Sequence, residues 1–123
     1  NAAITGNKAE DIFENEVSIE MGYKVIRVTD KVGLGYDFIS DDKKTYFEIK
    51  GFKDDFGDFR LTETEWDVAK NKKDDYILVL INNVFGDNHN YIDKRNPYLI
   101  YKNKIEKMKI NPSYYYRLKK SDL

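Results

Sequence analysis

Nine residues, Tyr76 to Val84 (YILVLINNV), make the most apolar run of the chain and constrain its fold more than any other stretch. Consecutive apolar side chains leave no wet face, so the run reads as a central strand buried on both sides. Such a strand needs a packed layer above it and another below. A chain of 123 residues fits one domain with one core. Its 41% apolar and 15% aromatic content suffices to build that core and argues against disorder. No apolar run approaches the ~20 residues of a membrane span, and no secretory leader is visible. With no cysteine, disulfides and thiolate metal sites are excluded, which suits a cytoplasmic location. The chain begins at Asn1 rather than methionine, so it is expected to be cut from a longer polypeptide with other domains, or to have lost a tag or leader.

The remaining segments supply candidate layers. Asn7 followed three residues later by Glu10 resembles a helix start. Ala9, Ile12, Phe13, Val17 and Met21 then recur at helical spacing, and Gly22 is placed to end the helix. Tyr23 to Thr29 is rich in β-branched residues and reads as a strand. Tyr36 to Ser40 and Thr45 to Phe52 read as a hairpin with a polar tip at Asp41 to Lys44. Phe59 to Leu61 reads as a short strand, and Thr62-Glu63-Thr64-Glu65 as a capping box opening a helix that ends near Lys72. After the apolar run, Tyr91 and Ile92 suggest a short strand inside a long polar loop. Pro97 to Tyr101 is expected to be a strand, Lys102 to Lys109 a short helix, and Tyr114 to Leu118 a final edge strand. The order predicts an α/β fold, a mixed sheet covered by helices on both faces.

Charges placed inside apolar strand sequence are expensive, and the hairpin carries three of them. Glu48 and Lys50 are two apart on one strand and share a face, while Phe47 and Ile49 point the other way. A turn centred between Asp42 and Lys43 sets Asp37 opposite Glu48. Two adjacent carboxylates repel and desolvate poorly, and Lys50 alone offsets only part of that. A divalent cation is the better match: Mg2+ takes one or two carboxylates, waters and phosphate oxygens. Lys50, one step along the same face, would then orient or help deprotonate the attacking water. Against this stands the ordinary explanation that acid-x-lysine simply lines the wet face of a sheet.

Asp37 on the second strand, followed by Glu48-Ile49-Lys50 on the third, within helix, three strands, helix, strand, resembles the PD-(D/E)XK nucleases of restriction-endonuclease-like fold. The proline of that motif's name is absent, since Tyr36 precedes Asp37. GYDFIS, YFEIKG, LTETEWDVAK and DDYILVLINNV, in that order over roughly residues 6–101, also resemble a domain of unknown function named after the C-terminus of the plant protein NO VEIN. Bacterial members of that family often sit in restriction or phage-defence proteins. The resemblance implies an Mg2+- or Mn2+-dependent nuclease, with Asp37 and Glu48 on the metal, Lys50 serving the water and Glu10 in support. A helix cap explains Glu10 equally well.

Net charge is −1, which gives no global support to nucleic-acid binding. From Lys94 to Lys120, however, nine basic residues face one acid, Glu106, and tyrosines are interleaved among them. Such a segment suits phosphates and bases, with Lys102 and Lys104 as contacts, and Lys53, close after Gly51, is a further phosphate contact; the expected partner is nucleic acid, DNA ahead of RNA, a choice the residues leave open. It reads as readily as a solvated lysine-rich surface whose tyrosines pack a sheet edge. Asp54, Asp55 and Asp58 lack the spacing of a calcium loop. Lone His89 reads as a surface residue. A non-catalytic binding module on the same fold, and a homodimer through the tyrosine-rich edge, are the rival readings.

Overall fold

The run Tyr76–Ile81 is a strand with all six residues buried, as its composition requires. The computed structural model describes residues 2–123 and places the other elements around that strand. A helical rod consists of Ala2–Ile12 (α1), a π-helical stretch Phe13–Val17 and a last turn Ser18–Glu20 (α2). Strands Val25–Arg27 (β1), Phe38–Ser40 (β2) and Tyr46–Gly51 (β3) follow, then Phe59–Thr62 (β4) and helix Glu63–Lys72 (α3). After the central strand (β5, Tyr76–Ile81) come Tyr91–Arg95 (β6), helix Pro97–Tyr101 (α4), Glu106–Ile110 (β7) and Ser113–Leu118 (β8).

The fold is mixed α/β, with two sheets where the sequence reading expected one. Five strands lie in the order β1-β2-β3-β5-β6, and three in the order β4-β8-β7. Only the β3–β5 pair of the large sheet is parallel. Alternation along β5 divides the core. Ile77, Val79 and Ile81 join Phe47 and Ile49 under Ala9, Ile12, Phe13 and Val17 of the first helical rod. Leu78 and Leu80 face the other way, against Leu61, Trp66, Tyr101 and Leu118. The second sheet therefore closes the lower layer together with α3 and α4.

Four local expectations are corrected. The first helix is already under way at Ala2, so Asn7 is not its cap and Glu10 lies within α1. Docking drives this extension: Gly51 ends β3 without a side chain, and a Cβ there would stand 2.5 Å from Ala9 Cβ and 3.0 Å from the Thr5 carbonyl. Pro97–Tyr101 is a helix, because Asn96 in the left-handed region (φ 57) accepts a hydrogen bond from Leu99 N and Pro97 fills the first turn. Lys102–Lys109 is a turn running into β7, and β8 is the middle strand of its sheet rather than an edge. Alternation of Met108 with lysines suited a strand, and pairing with β8 decided it. The Thr62 capping box, the Gly22 ending (φ 85) and the hairpin register, Phe38 to Phe47 and Ile39 to Tyr46, are as expected. No helix among the described residues is long and apolar enough to cross a membrane.

Candidate functional site

β2 separates from β3 just where the charges begin. Their pairing stops at Phe38 and Phe47, and Asp37 N donates to the Phe47 carbonyl at 2.8 Å. Beyond that point the Ile49 amide donates to Asp37 Oδ2 at 2.9 Å instead of to a strand. A carboxylate thus replaces backbone pairing along the edge of β3. Asp37 is fixed from behind by its neighbours. Gly35 (φ 79) lets the preceding loop lie on the first turns of α3, where a Cβ would meet Val68 Cγ2 at 2.7 Å. The buried Tyr76 hydroxyl donates to the Gly35 carbonyl at 2.8 Å.

The notch collects four carboxylates. Glu10, Asp37, Glu48 and Glu65 all line a cleft of about 520 Å3 and a second of about 460 Å3, so the acids lie where the two meet. Lys50 sits among them, with Nζ 2.9 Å from Glu65 Oε1 and 3.4 Å from Glu48 Oε2. Arg27 holds Glu10 at 2.8 Å and also reaches Asp11 and Glu14. Four acids are thus opposed by two cations, one of them shared with acids outside the cleft.

Burial sets the protonation states. Glu48 is 3% exposed, and desolvation raises its pKa well above the usual carboxylate range, with Lys50 opposing the shift. When ionised, its Oε1 is buried with no hydrogen-bond partner among the described residues. The interaction between the two carboxyls adds to the rise at Glu48 and opposes the rise at Asp37. Desolvation likewise raises Asp37 and Glu10, and the Asp37 charge adds to the rise at Glu10. Lys50 moves upward despite its burial, because Glu48 and Glu65 stabilise the ammonium. It is a proton-holding group in this arrangement, suited to orienting a water rather than deprotonating it.

A hard divalent cation fits this donor set. The ligating atoms on offer are carboxylate oxygens, one of them unpartnered among the described residues, and a cation would offset the cost of burying them charged. No group of three or more His, Cys, Asp or Glu side chains among the described residues is arranged as a ready metal cage. A site of two carboxylates completed by waters and phosphate oxygens does not require one.

Of the residues singled out in the sequence, Glu10, Asp37, Glu48 and Lys50 come together. Lys53, Lys102 and Lys104 are exposed, and none lines either cleft. The basic tail is partly neutralised: Arg117 pairs with Asp58, Lys119 with Glu106, and Lys120 with Asp55. The aspartate loop therefore anchors the C-terminal cations. Glu65 and Arg27 were not anticipated. Glu65 completes its capping box by accepting from Thr62 N at 2.9 Å, and the same Oε1 accepts from Lys50. The signal for this second role was the closeness of LTETE to the YFEIKG strand. A family model described as Protein NO VEIN, C-terminal matches residues 8–100, which include every member of the cluster. No curated protein and no solved structure matches the chain.

Proposed function

Because the chain belongs to the family of the NO VEIN C-terminal domain, and because its sheet carries an acid pair beside acid-x-lysine, we propose an Mg2+-dependent nuclease that hydrolyses phosphodiester bonds, in DNA rather than RNA. The observation that carries this reading is the convergence of Glu10, Asp37, Glu48, Lys50 and Glu65 on one notch with a carboxylate oxygen unpartnered among the described residues. Asp37 and Glu48 are the ligands for Mg2+ or Mn2+, which when bound polarises a phosphoryl oxygen and acidifies a water. Lys50, pinned between Glu48 and Glu65, orients the attacking water and balances charge developing on the phosphate. Glu65 aims Lys50, and the cap fixes Glu65 in turn. Glu10 closes the α1 side of the cleft under the hold of Arg27. The setting implied by the resemblance, a larger bacterial restriction or defence protein, is part of the same proposal.

Plasmid and labelled oligonucleotide cleavage with Mg2+, Mn2+ or EDTA tests this. Asp37→Ala or Lys50→Ala should abolish cutting while circular dichroism shows the fold retained. Cleavage that survived both substitutions would assign the chemistry to the wrong residues, and a protein that cuts neither DNA nor RNA would refute hydrolysis.

A binding module without catalysis is the second reading, favoured by the saturation of Lys50 with two carboxylates and by the lack of a ready cage among the described residues. On that reading, Mg2+ leaves the melting temperature unchanged; on the nuclease reading, Mg2+ raises it.

A further inference from the structure

The larger cleft has a wall that the acid cluster does not supply. β1 and β2 form a hairpin that pairs Arg27 with Phe38, and one more hydrogen bond extends it, from Val28 N to the Asp37 carbonyl at 2.9 Å. Residues 29–36 are therefore the loop of a hairpin that has Asp37 at its base. A turn closed by Lys31 N and the Val28 carbonyl at 3.0 Å opens the loop, and Gly33 (φ 80) bends it back. Both limbs are tied down. Arg27 Nε donates to Thr29 Oγ1 at 3.0 Å, and Gly35 rests on α3. Lys31 rides on this frame and lines the same cleft as Glu10, Asp37, Glu48 and Glu65.

Charge singles out Lys31. Lys50 lines only the smaller cleft and Arg27 lines neither, so among the described residues Lys31 is the one cation in the wall of the larger cleft. The acids there are already answered. Arg27 holds Glu10, Lys50 holds Glu65, and Asp37 and Glu48 are the ligands proposed for the metal. Lys31 is exposed and forms no ion pair among the described residues. Asp30, beside it in the chain, does not line the cleft. An anion that enters past four carboxylates is repelled unless cations meet it. A divalent ion on Asp37 and Glu48 answers for those two acids, and Lys31 is the charge left over for the substrate.

We propose that Lys31 is a substrate-binding residue, which holds a phosphate of the DNA strand on the loop side of the acid cluster, other than the phosphate that is cut. Its ammonium donates hydrogen bonds to the non-bridging oxygens of that phosphate. One hairpin carries Lys31 in its loop and Asp37 at its base, so the contact fixes the strand relative to the metal ligands. The strand therefore reaches the acids through the larger cleft rather than across the basic tail, whose Lys102 and Lys104 line neither cleft. The choice of DNA as occupant rests on the hydrolytic reading given above.

Fluorescence anisotropy with labelled DNA, as duplex and as single strand, reads the contact separately from cleavage when Ca2+ replaces Mg2+. Lys31→Ala should weaken binding about tenfold, the effect of one hydrogen bond to a charged group. It should also reduce the slope of log affinity against log salt by about one. Lys31→Arg should keep both, and Lys31→Glu should lose more than Lys31→Ala. Lys44→Ala removes the same charge from the exposed tip between β2 and β3, at the other end of β2 from Asp37, and should bind like the parent. In cleavage with Mg2+, Lys31→Ala should raise KM about tenfold and leave kcat within about twofold, because the contact is made equally before and during the reaction. The contact is overturned if Lys31→Ala keeps the parent's affinity and salt slope, if Lys44→Ala weakens binding as much, or if the loss falls on kcat alone. A protein that binds DNA through Lys31 but never cuts with Mg2+ removes the hydrolysis alone. One that cuts with a KM indifferent to Lys31→Ala removes the contact alone, and one that binds no DNA removes both.

Discussion

Replacing Glu48 with glutamine separates a carboxylate kept for a cation from one kept for the fold. Glu48 is 3% exposed, and its ionised form leaves Oε1 without a partner among the described residues. A buried polar group left unsatisfied costs about 1–3 kcal/mol. Glutamine keeps the shape and offers an N–H towards Asp37 without a charge to bury. It gives up the 3.4 Å contact with Lys50, which retains Glu65 at 2.9 Å. Above the folded pKa of Glu48, the metal-free Glu48→Gln protein should therefore be more stable than the parent by about 2 kcal/mol, or about 8 °C in Tm. The sign follows from linkage. Burial raises the folded pKa of Glu48 above its unfolded value, so the protonated group stabilises the fold at low pH. That contribution is complete below about pH 4.3, the ordinary glutamate value, and is lost as pH rises through the folded pKa. Parent and variant should converge in acid and diverge as pH rises. Mg2+ should restore the parent above the folded pKa and do little for the variant. Thermal melts by circular dichroism from pH 4 to pH 9, with and without Mg2+, measure all of this. A lower Tm for the variant above the folded pKa, or the same pH dependence in both proteins, refutes the reasoning.

Three further outcomes follow from the packing. Gly51→Ala drives a Cβ to 2.5 Å from Ala9 Cβ and 3.0 Å from a backbone oxygen of Thr5, so it should cost about 1–3 kcal/mol in urea denaturation and lower cleavage by shifting α1 with Glu10. Thr62→Ala removes one half of the capping box and should cost about 1 kcal/mol in the same assay, with Thr62→Ser restoring it. Phe13→Ala empties the fully buried site where its ring meets Phe38 at 4.9 Å and Phe47 at 5.2 Å, and should cost about 3–5 kcal/mol, read as a loss of Tm.

The hairpin was legible because its information is local. A two-residue period and a polar tip set which side chains share a face, and the observed pairs Phe38 to Phe47 and Ile39 to Tyr46 keep that register. The capping box was legible for the same reason, since Thr62 and Glu65 satisfy each other within one turn. Pro97–Tyr101 misled because its apolar residues outweighed the Asn96-Pro97 start signal, which was there to be seen. Glu10 was read equally as a helix cap and as a supporting acid. It lies well inside α1, which removes the cap, and the contact of Gly51 with Ala9 brings it to the cleft. Glu65 was recognised only for its cap, because nothing in LTETE says what lies across from the helix start.

By itself the chain determined its periodicities: a strand buried on both faces, a hairpin pairing Phe38 with Phe47, and Lys50 on the same side as Glu48. These follow from backbone geometry over a few residues. Tertiary packing alone decided that α1 and α3 converge on one edge of β3, that Glu10 and Glu65 join the acid pair there, and that the C-terminal strands β7 and β8 join β4 in a separate sheet. Such meetings depend on which surfaces bury one another across the chain, and no short stretch of sequence encodes them.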